Sequence, residues 1–229
     1  MTEHTVAATG PEAVAATRVK ICGVTRLEDA QFAVEAGAWA VGMVFHEPSP
    51  RRCALPEAMA IGAALRRQTE LCGVFVNRPL DEIAAVADQV GLTLVQLHGD
   101  EGPVFCAEVA RRTGARVIKA VQVADIGDIH LLERFHTDYH LADTRPTSGS
   151  ARGGTGLSFD WGLLAARHSS VPLILSGGIS AENAAAAIDT VHPYALDSAS
   201  GTEAAPGRKD PARVQALIDV AQRATALKA

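Results

Sequence analysis

The sequence predicts an α/β fold of a single domain, a (β/α)8 TIM barrel, and three observations point there. Short apolar runs alternate with longer amphipathic ones at a spacing of roughly 20 to 30 residues, the pattern of repeated βα units. Eight such units can be placed from residue 18 onward, and no shift in composition divides them. The length of 229 residues suits closed barrels, which centre on about 250 residues and close through right-handed crossovers. The competing architecture is an open doubly wound sheet. It calls for a Gly-x-Gly-x-x-Gly turn after its first strand, and Cys22-Gly23-Val24-Thr25 is not one.

The expected strands are 18–22, 39–45, 72–76, 93–97, 116–121, 139–142, 172–175 and 194–197, each followed by a helix candidate. In the first helix Leu27, Ala30, Phe32, Val34 and Ala36 supply the apolar face, and Thr25 stands where a hydroxyl can cap it. Asp81-Glu82-Ile83 and Ser180-Ala181-Glu182-Asn183 put acidic groups at expected first turns, where the helix dipole favours them. Gly37, Gly91 and Gly114 mark stops. The fifth helix, near 126–134, is short.

Composition narrows the function. Hydrophobic residues make up 48% of the chain and the formal charge is -5, spread without a basic run, so neither a nucleic-acid nor an anionic-membrane surface is indicated. The cysteines at 22, 53, 72 and 106 form no Cys-x-x-Cys pair and no cluster with histidine at zinc spacing. Reduced thiols in the cytoplasm, with no metal, fit this usage. No segment has the apolar length of a membrane span. Residues 1–17 read as a loosely ordered extension ahead of a catalytic domain at 18–229.

In a barrel, residues at the C-terminal ends of the strands face one mouth, so the mouth can be read off as a list. It holds Cys22, 46–51, Asn77-Arg78, His98-Gly99-Asp100, Gln122, Asp143-Thr144-Arg145, Ser176-Gly177-Gly178 and 197–201. Three glycine-rich turns, Gly153-Gly154-Thr155-Gly156, Ser176-Gly177-Gly178 and Ser198-Ala199-Ser200-Gly201, suit an anion, because glycine lets backbone N–H groups approach it closely. Two of them follow strands 7 and 8, the frequent phosphate site of such barrels. Gly154, Gly177, Gly178, Ser200 and Gly201 are the expected phosphate contacts. Hydrogen bonds to a charged group contribute roughly 1.5 to 3 kcal/mol each, enough for a few amides to hold a phosphate without lysine.

Two residues can carry protons. Cys22 can act as a base if a nearby cation or backbone dipoles lower its thiol from about 8.5; its bland alternative is a small core hydrophobe. Asp143 follows an apolar strand and can be a general acid if buried, or simply a turn residue. Asp197 shares that ambiguity and can also accept hydrogen bonds from sugar hydroxyls. Cys53, Cys72 and Cys106 are expected in apolar packing, Trp161 in the core, and His98 as either a loop anchor or a ligand contact.

Lys20-Ile21-Cys22-Gly23-Val24-Thr25-Arg26, Ser49-Pro50-Arg51, Gly73-Val74-Phe75-Val76-Asn77, Val95-Gln96-Leu97-His98-Gly99-Asp100-Glu101, Val117-Ile118-Lys119-Ala120-Val121, the 153–156 turn with Phe159-Asp160-Trp161, and Ser176-Gly177-Gly178 together resemble phosphoribosylanthranilate isomerase of tryptophan biosynthesis. The match runs in order from about residue 18 to Lys209-Asp210. The resemblance implies a barrel enzyme, without cofactor, that isomerises N-(5-phosphoribosyl)anthranilate to 1-(o-carboxyphenylamino)-1-deoxyribulose 5-phosphate by an Amadori rearrangement. It implies Cys22 as general base, Asp143 as general acid, and Arg51, or its neighbour Arg52, on the anthranilate carboxylate. A small phosphosugar substrate is expected as partner, and a monomer or homodimer as the assembly. The family's usual Asp-Val-Ser-Ser-Gly turn reads Asp197-Ser198-Ala199-Ser200-Gly201 here, with one hydroxyl missing and a polar residue in an apolar place. The rivals are another phosphosugar isomerase or epimerase of the same fold, which would need a second aspartate or metal-binding histidines, and a silent phosphate-ligand sensor.

Overall fold

The computed structural model describes residues 16–144 and 160–226. Eight parallel strands close into a barrel in sequence order: β1 (Arg18–Cys22), β2 (Ala40–Val44), β3 (Glu70–Phe75), β4 (Leu94–Leu97), β5 (Arg116–Val123), β6 (Tyr139–Thr144), β7 (Leu173–Leu175) and β8 (Ala195–Ser198), with β8 pairing back onto β1. Around them lie α1 (Leu27–Glu35), α2 (Leu55–Leu65), α3 (Leu80–Val90), α4 (Pro103–Thr113), α5 (Ile126–Glu133), α6 (Ala184–Val191) and α7 (Pro211–Ala226). The expected barrel is the observed one.

Side chains alternate across each strand, and the alternation divides the core in two. Outward residues such as Val19, Ile21, Val41, Met43, Val95 and Leu97 pack under the helices. Inward residues such as Ala40, Cys72, Leu94, Ile118, Leu141, Ile174 and Ala195 fill the barrel. At the N-terminal mouth Trp39 meets Tyr139 and Tyr194 edge-on, with ring centroids 5.7 and 5.6 Å away, and the Arg18 guanidinium lies 4.3 Å over the Tyr194 ring. The aromatic plug closes that end, so the polar ends of the strands open at the other.

Several element boundaries differ from expectation. Thr25 does not cap α1: Arg26 holds the cap position, and the Thr25 hydroxyl instead donates to the Gly207 carbonyl at 2.6 Å. A local start signal lost here to a partner 182 residues away. Ser180-Ala181-Glu182-Asn183 forms the turn before α6 rather than its first turn, with the Ser180 N–H donating to Asn183 Oδ1. The sixth expected helix is a short 3₁₀ segment, Trp161–Ala166. Beyond expectation, a hairpin of β9 (Glu203–Ala205) and β10 (Arg208–Lys209) separates β8 from α7. Gly91 and Gly114 do end α3 and α4 in left-handed conformation, because a residue without Cβ adopts it without strain. Cys53, Cys72 and Cys106 are buried, and Trp161 packs on the core, as expected.

Two predictions concern stability. A Cβ at Gly62 of α2 would lie 2.0 Å from the Val90 carbonyl oxygen of α3, whereas one at Gly91 meets nothing within 4 Å. Gly62→Ala should therefore cost about 1 to 3 kcal/mol through overpacking and Gly91→Ala about 1 kcal/mol through backbone strain, read from urea midpoints. Equal midpoints for the two would mean that α2 and α3 shift apart freely. The second concerns alkali. Burial pushes the Cys53 and Cys72 thiols from 9.0 up to about 12 and Cys106 up to about 11. Thiols raised by folding stabilise the native state fully below the unfolded value and lose that contribution as pH climbs through the folded values. Unfolding free energy should thus fall between pH 9 and 11 to 12; a flat pH dependence across that window would contradict this account.

Candidate active site

The strand alternation that fills the barrel also decides which polar side chains meet. Cys22, Gln96, Asp143, Ser176 and Asp197 continue the inward rows of β1, β4, β6, β7 and β8 at their C-terminal ends, and all five line one cleft with Arg51, His46, Ser49 and His98. Asp143 lies within its strand, not after it as the sequence suggested, because the ladder continues to Thr144, and Asp197 lies within β8, whose expected end at 197 extends one residue to Ser198. Cys22 and Asp143 thus come from opposite sides of the barrel into one space. A second recess, bounded by His98, Lys119, Gln122 and Phe135, adjoins the cleft, but neither Cys22 nor Asp143 reaches it.

Cys22 sits beside a lysine that shares its face of β1. Lys20 is buried and donates to Asp197 Oδ1 at 2.8 Å, the residue paired with it across the β1–β8 seam. Ser176 donates to the other carboxylate oxygen at 3.1 Å. Burial works against the Lys20 charge, but Asp197, Cys22 and Cys72 outweigh it and hold the ammonium above its ordinary range. Gly42, which pairs with Cys22, leaves the necessary room: a Cβ there would stand 2.9 Å from Cys22 Sγ and 3.1 Å from Lys20 Nζ. Burial pushes the Cys22 thiol up, while Lys20 pulls it down. Burial wins, so the lowered thiol that the sequence reading required of a base is not found; the cation is present, and desolvation exceeds it.

Asp143 is buried, accepts the Thr144 N–H at Oδ1 at 2.8 Å, and has His98 Nε2 3.2 Å from Oδ2, at ion-pair distance but without hydrogen-bond alignment. His98 Nδ1 lies 2.8 Å from Gln96 Nε2, and the buried Gln96 Oε1 has no hydrogen-bond partner among the described residues. His98 is therefore a cleft residue.

Asp197 does not present an idle carboxylate, since Lys20 and Ser176 engage its two oxygens. Arg51 faces the cleft with a side chain 13% exposed, while Arg52 turns outward, 51% exposed, to pair with Glu47 at 2.9 Å. The glycine turns reach the mouth in part. Gly177 and Gly178 take φ of +86° and +72°, and a Cβ at Gly177 would meet Thr144 Oγ1 at 2.2 Å. Gly201 approaches the Ile179 carbonyl so closely that a Cβ would lie 2.1 Å from it. Ser200 starts the short 3₁₀ turn Ser200–Thr202. Ser198, the polar residue in an apolar place, is buried and donates to that same Ile179 carbonyl at 2.6 Å. Gly154 lies outside the described residues.

Sequence reasoning assigned no role to Lys20, Glu203 or Lys209. For Lys20 a signal existed: it stands two residues before Cys22 in a strand, hence on the same face. For Glu203 there was none, because it meets Arg51 only through the closed fold, 152 residues away.

A family model described as N-(5'phosphoribosyl)anthranilate (PRA) isomerase matches residues 19–220. The chain is 48% identical over 201 residues to N-(5'-phosphoribosyl)anthranilate isomerase of Geobacter metallireducens, covering 88% of this chain and 96% of that one. The phosphoribosyl anthranilate isomerase of Thermus thermophilus superposes with a TM-score of 0.80 at 36% identity, covering 89% and 98% of the two chains. A phosphoribosyl anthranilate isomerase in complex with reduced 1-(o-carboxyphenylamino)-1-deoxyribulose 5-phosphate superposes with a TM-score of 0.77 at 39% identity, covering 90% and 99%. By the match across 19–220 and the identity to these relatives, the chain belongs to the N-(5'-phosphoribosyl)anthranilate isomerase family.

Proposed function

We propose that the chain catalyses the Amadori rearrangement of N-(5-phosphoribosyl)anthranilate to 1-(o-carboxyphenylamino)-1-deoxyribulose 5-phosphate in tryptophan biosynthesis, with Cys22 as base and Asp143 as acid. The observation that carries the residue roles is the shared cleft: thiol and carboxyl enter one space from β1 and β6. Asp143, in its protonated form, gives its proton to the ribose ring oxygen as the C1–O bond breaks, and the electron pair on nitrogen forms an iminium. The positive charge acidifies the C2 proton, which the Cys22 thiolate removes. The electrons of that C–H bond neutralise the iminium and leave an enolamine, which tautomerises to the ketone. Positioned proton transfers each contribute on the order of 10² to 10⁴ in rate.

The phosphate is assigned to the turns at Gly177-Gly178 and Ser200-Gly201, with Gly154 of the glycine-rich sequence 153–156 as a further contact. Gripping the phosphate fixes the sugar carbon against the sulfur. Arg51, facing the cleft, is assigned to the anthranilate carboxylate. Asp197 serves the thiol through Lys20; it also remains within reach of sugar hydroxyls as a lining residue of the cleft.

The raised thiol sets a pH dependence. With Cys22 above its ordinary value, the thiolate population, and with it kcat, should rise with pH on the acid side of that value. Lys20→Met removes the cation that pulls the thiol down and leaves Asp197, which pushes it up. Its pH–rate profile should move to higher pH, with kcat near neutrality lower by about 10- to 100-fold; an unmoved profile would remove Lys20 from the account. Cys22→Ser should abolish the loss of fluorescence from freshly made phosphoribosyl anthranilate yet retain binding of the reduced product analogue. Near-normal turnover in that variant would exclude Cys22 as the base. A well-folded wild-type chain that leaves the fluorescence unchanged would favour the ligand-sensor reading.

A further inference from the structure

Arg51 is held at the cleft by a buried carboxylate that the reaction does not use. Glu203, the first residue of β9, accepts from Arg51 Nε at 2.8 Å through Oε1 and from Arg51 Nη2 at 2.8 Å through Oε2. The Gly207 N–H at 3.2 Å and Lys209 Nζ at 3.3 Å also donate to Oε1. Lys209 is itself tied down, donating to the Ala199 carbonyl at 2.9 Å. On its other side the Arg51 stem runs over Gly23, where a Cβ would come within 2.8 Å of Cδ. The hairpin of β9 and β10 and the turn after β1 therefore clamp one side chain from both faces.

A guanidinium has two edges that can each dock a carboxylate in parallel hydrogen bonds. On Arg51 the Nε and Nη2 edge is occupied by Glu203, which directs the remaining donors of Nη1 and Nη2 elsewhere.

We propose that Glu203 is a positioning residue that sets selectivity for the ring carboxylate of the substrate, by fixing the second edge of the Arg51 guanidinium toward it. The inference rests on the assignment of Arg51 to that carboxylate and goes beyond it in making a buried residue of the β9–β10 hairpin the source of selectivity. A merely architectural Glu203 would weaken every ligand alike. A positioning Glu203 weakens only ligands that carry the carboxylate.

The test compares two probes by calorimetry on the full chain: reduced 1-(o-carboxyphenylamino)-1-deoxyribulose 5-phosphate, and its counterpart with aniline in place of anthranilate. Glu203→Gln keeps the size and removes the charge. It should weaken the carboxylated probe by about tenfold and the aniline probe by less than about twofold, a difference the loss of one charge-assisted contact allows. Glu203→Asp, which keeps the charge but withdraws it from Arg51, should show the same selective loss and serves if the glutamine variant does not fold. Equal weakening of both probes, or of neither, overturns the inference. Arg51→Met run in parallel separates the two layers: if it discriminates between the probes and the Glu203 variants do not, only the role of Glu203 fails. If Arg51→Met does not discriminate either, the assignment of Arg51 fails with it.

Discussion

The ion pair between Lys20 and Asp197 is the contact on which both the architecture and the proposed chemistry depend. It bridges β1 and β8, the seam at which the barrel closes, with its members opposite one another in register. Both groups are buried, so their desolvation is offset by their mutual attraction, by the Ser176 hydrogen bond and, for Lys20, by Cys22 and Cys72. Removing either partner of such a pair costs about 3 to 5 kcal/mol, because the other charge is left in a poor solvent. The same ammonium adjoins Cys22. A seam that had failed to close would leave that ammonium without its carboxylate.

The barrel divides its labour by height. Below, the aromatic plug of Trp39, Tyr139 and Tyr194 and a layer of aliphatic side chains make a packed floor. Above, three sets of charged side chains among the described residues meet groups of opposite sign. Lys20 meets Asp197, Arg51 and Lys209 share Glu203, and Lys119 pairs with Glu101 at 2.9 Å while also donating to the Gly99 carbonyl. The last of these braces the loop after β4 that carries His98, and Glu101 accepts the Gly99 N–H in return at 2.9 Å. Each group fixes one edge of the cleft: the thiol, the arginine and the histidine. A rigid rim of this kind is what a positioned proton transfer needs, since reacting atoms must stay within about an ångström of their productive geometry.

The conflict at Cys22 follows from the same economy of space. A sulfur deep enough to meet Lys20 is also deep enough to lose hydration, and the second effect prevails. A substrate that develops positive charge on its iminium carbon would add a cation on the open side of the sulfur, so the thiolate form is stabilised where and when the proposed proton removal requires it.

By itself the sequence determined the closed barrel, since apolar period, glycine stops and strand length are local properties that survive any tertiary arrangement. It also determined the membership of the mouth, because residues at strand ends have one place to go in this fold: Cys22, Asp143, Arg51, Ser176 and Asp197 all lie there. What only the tertiary structure decided is the pairing among them. Thr25 gave up its local cap for Gly207, Asp197 turned to Lys20, and Arg51 turned to Glu203, with contacts spanning 182, 177 and 152 residues. The balance between burial and charge at the thiol was decided in the same way. Such choices depend on distances across a closed sheet, and a linear pattern holds no distance between segments that meet only when the ring shuts.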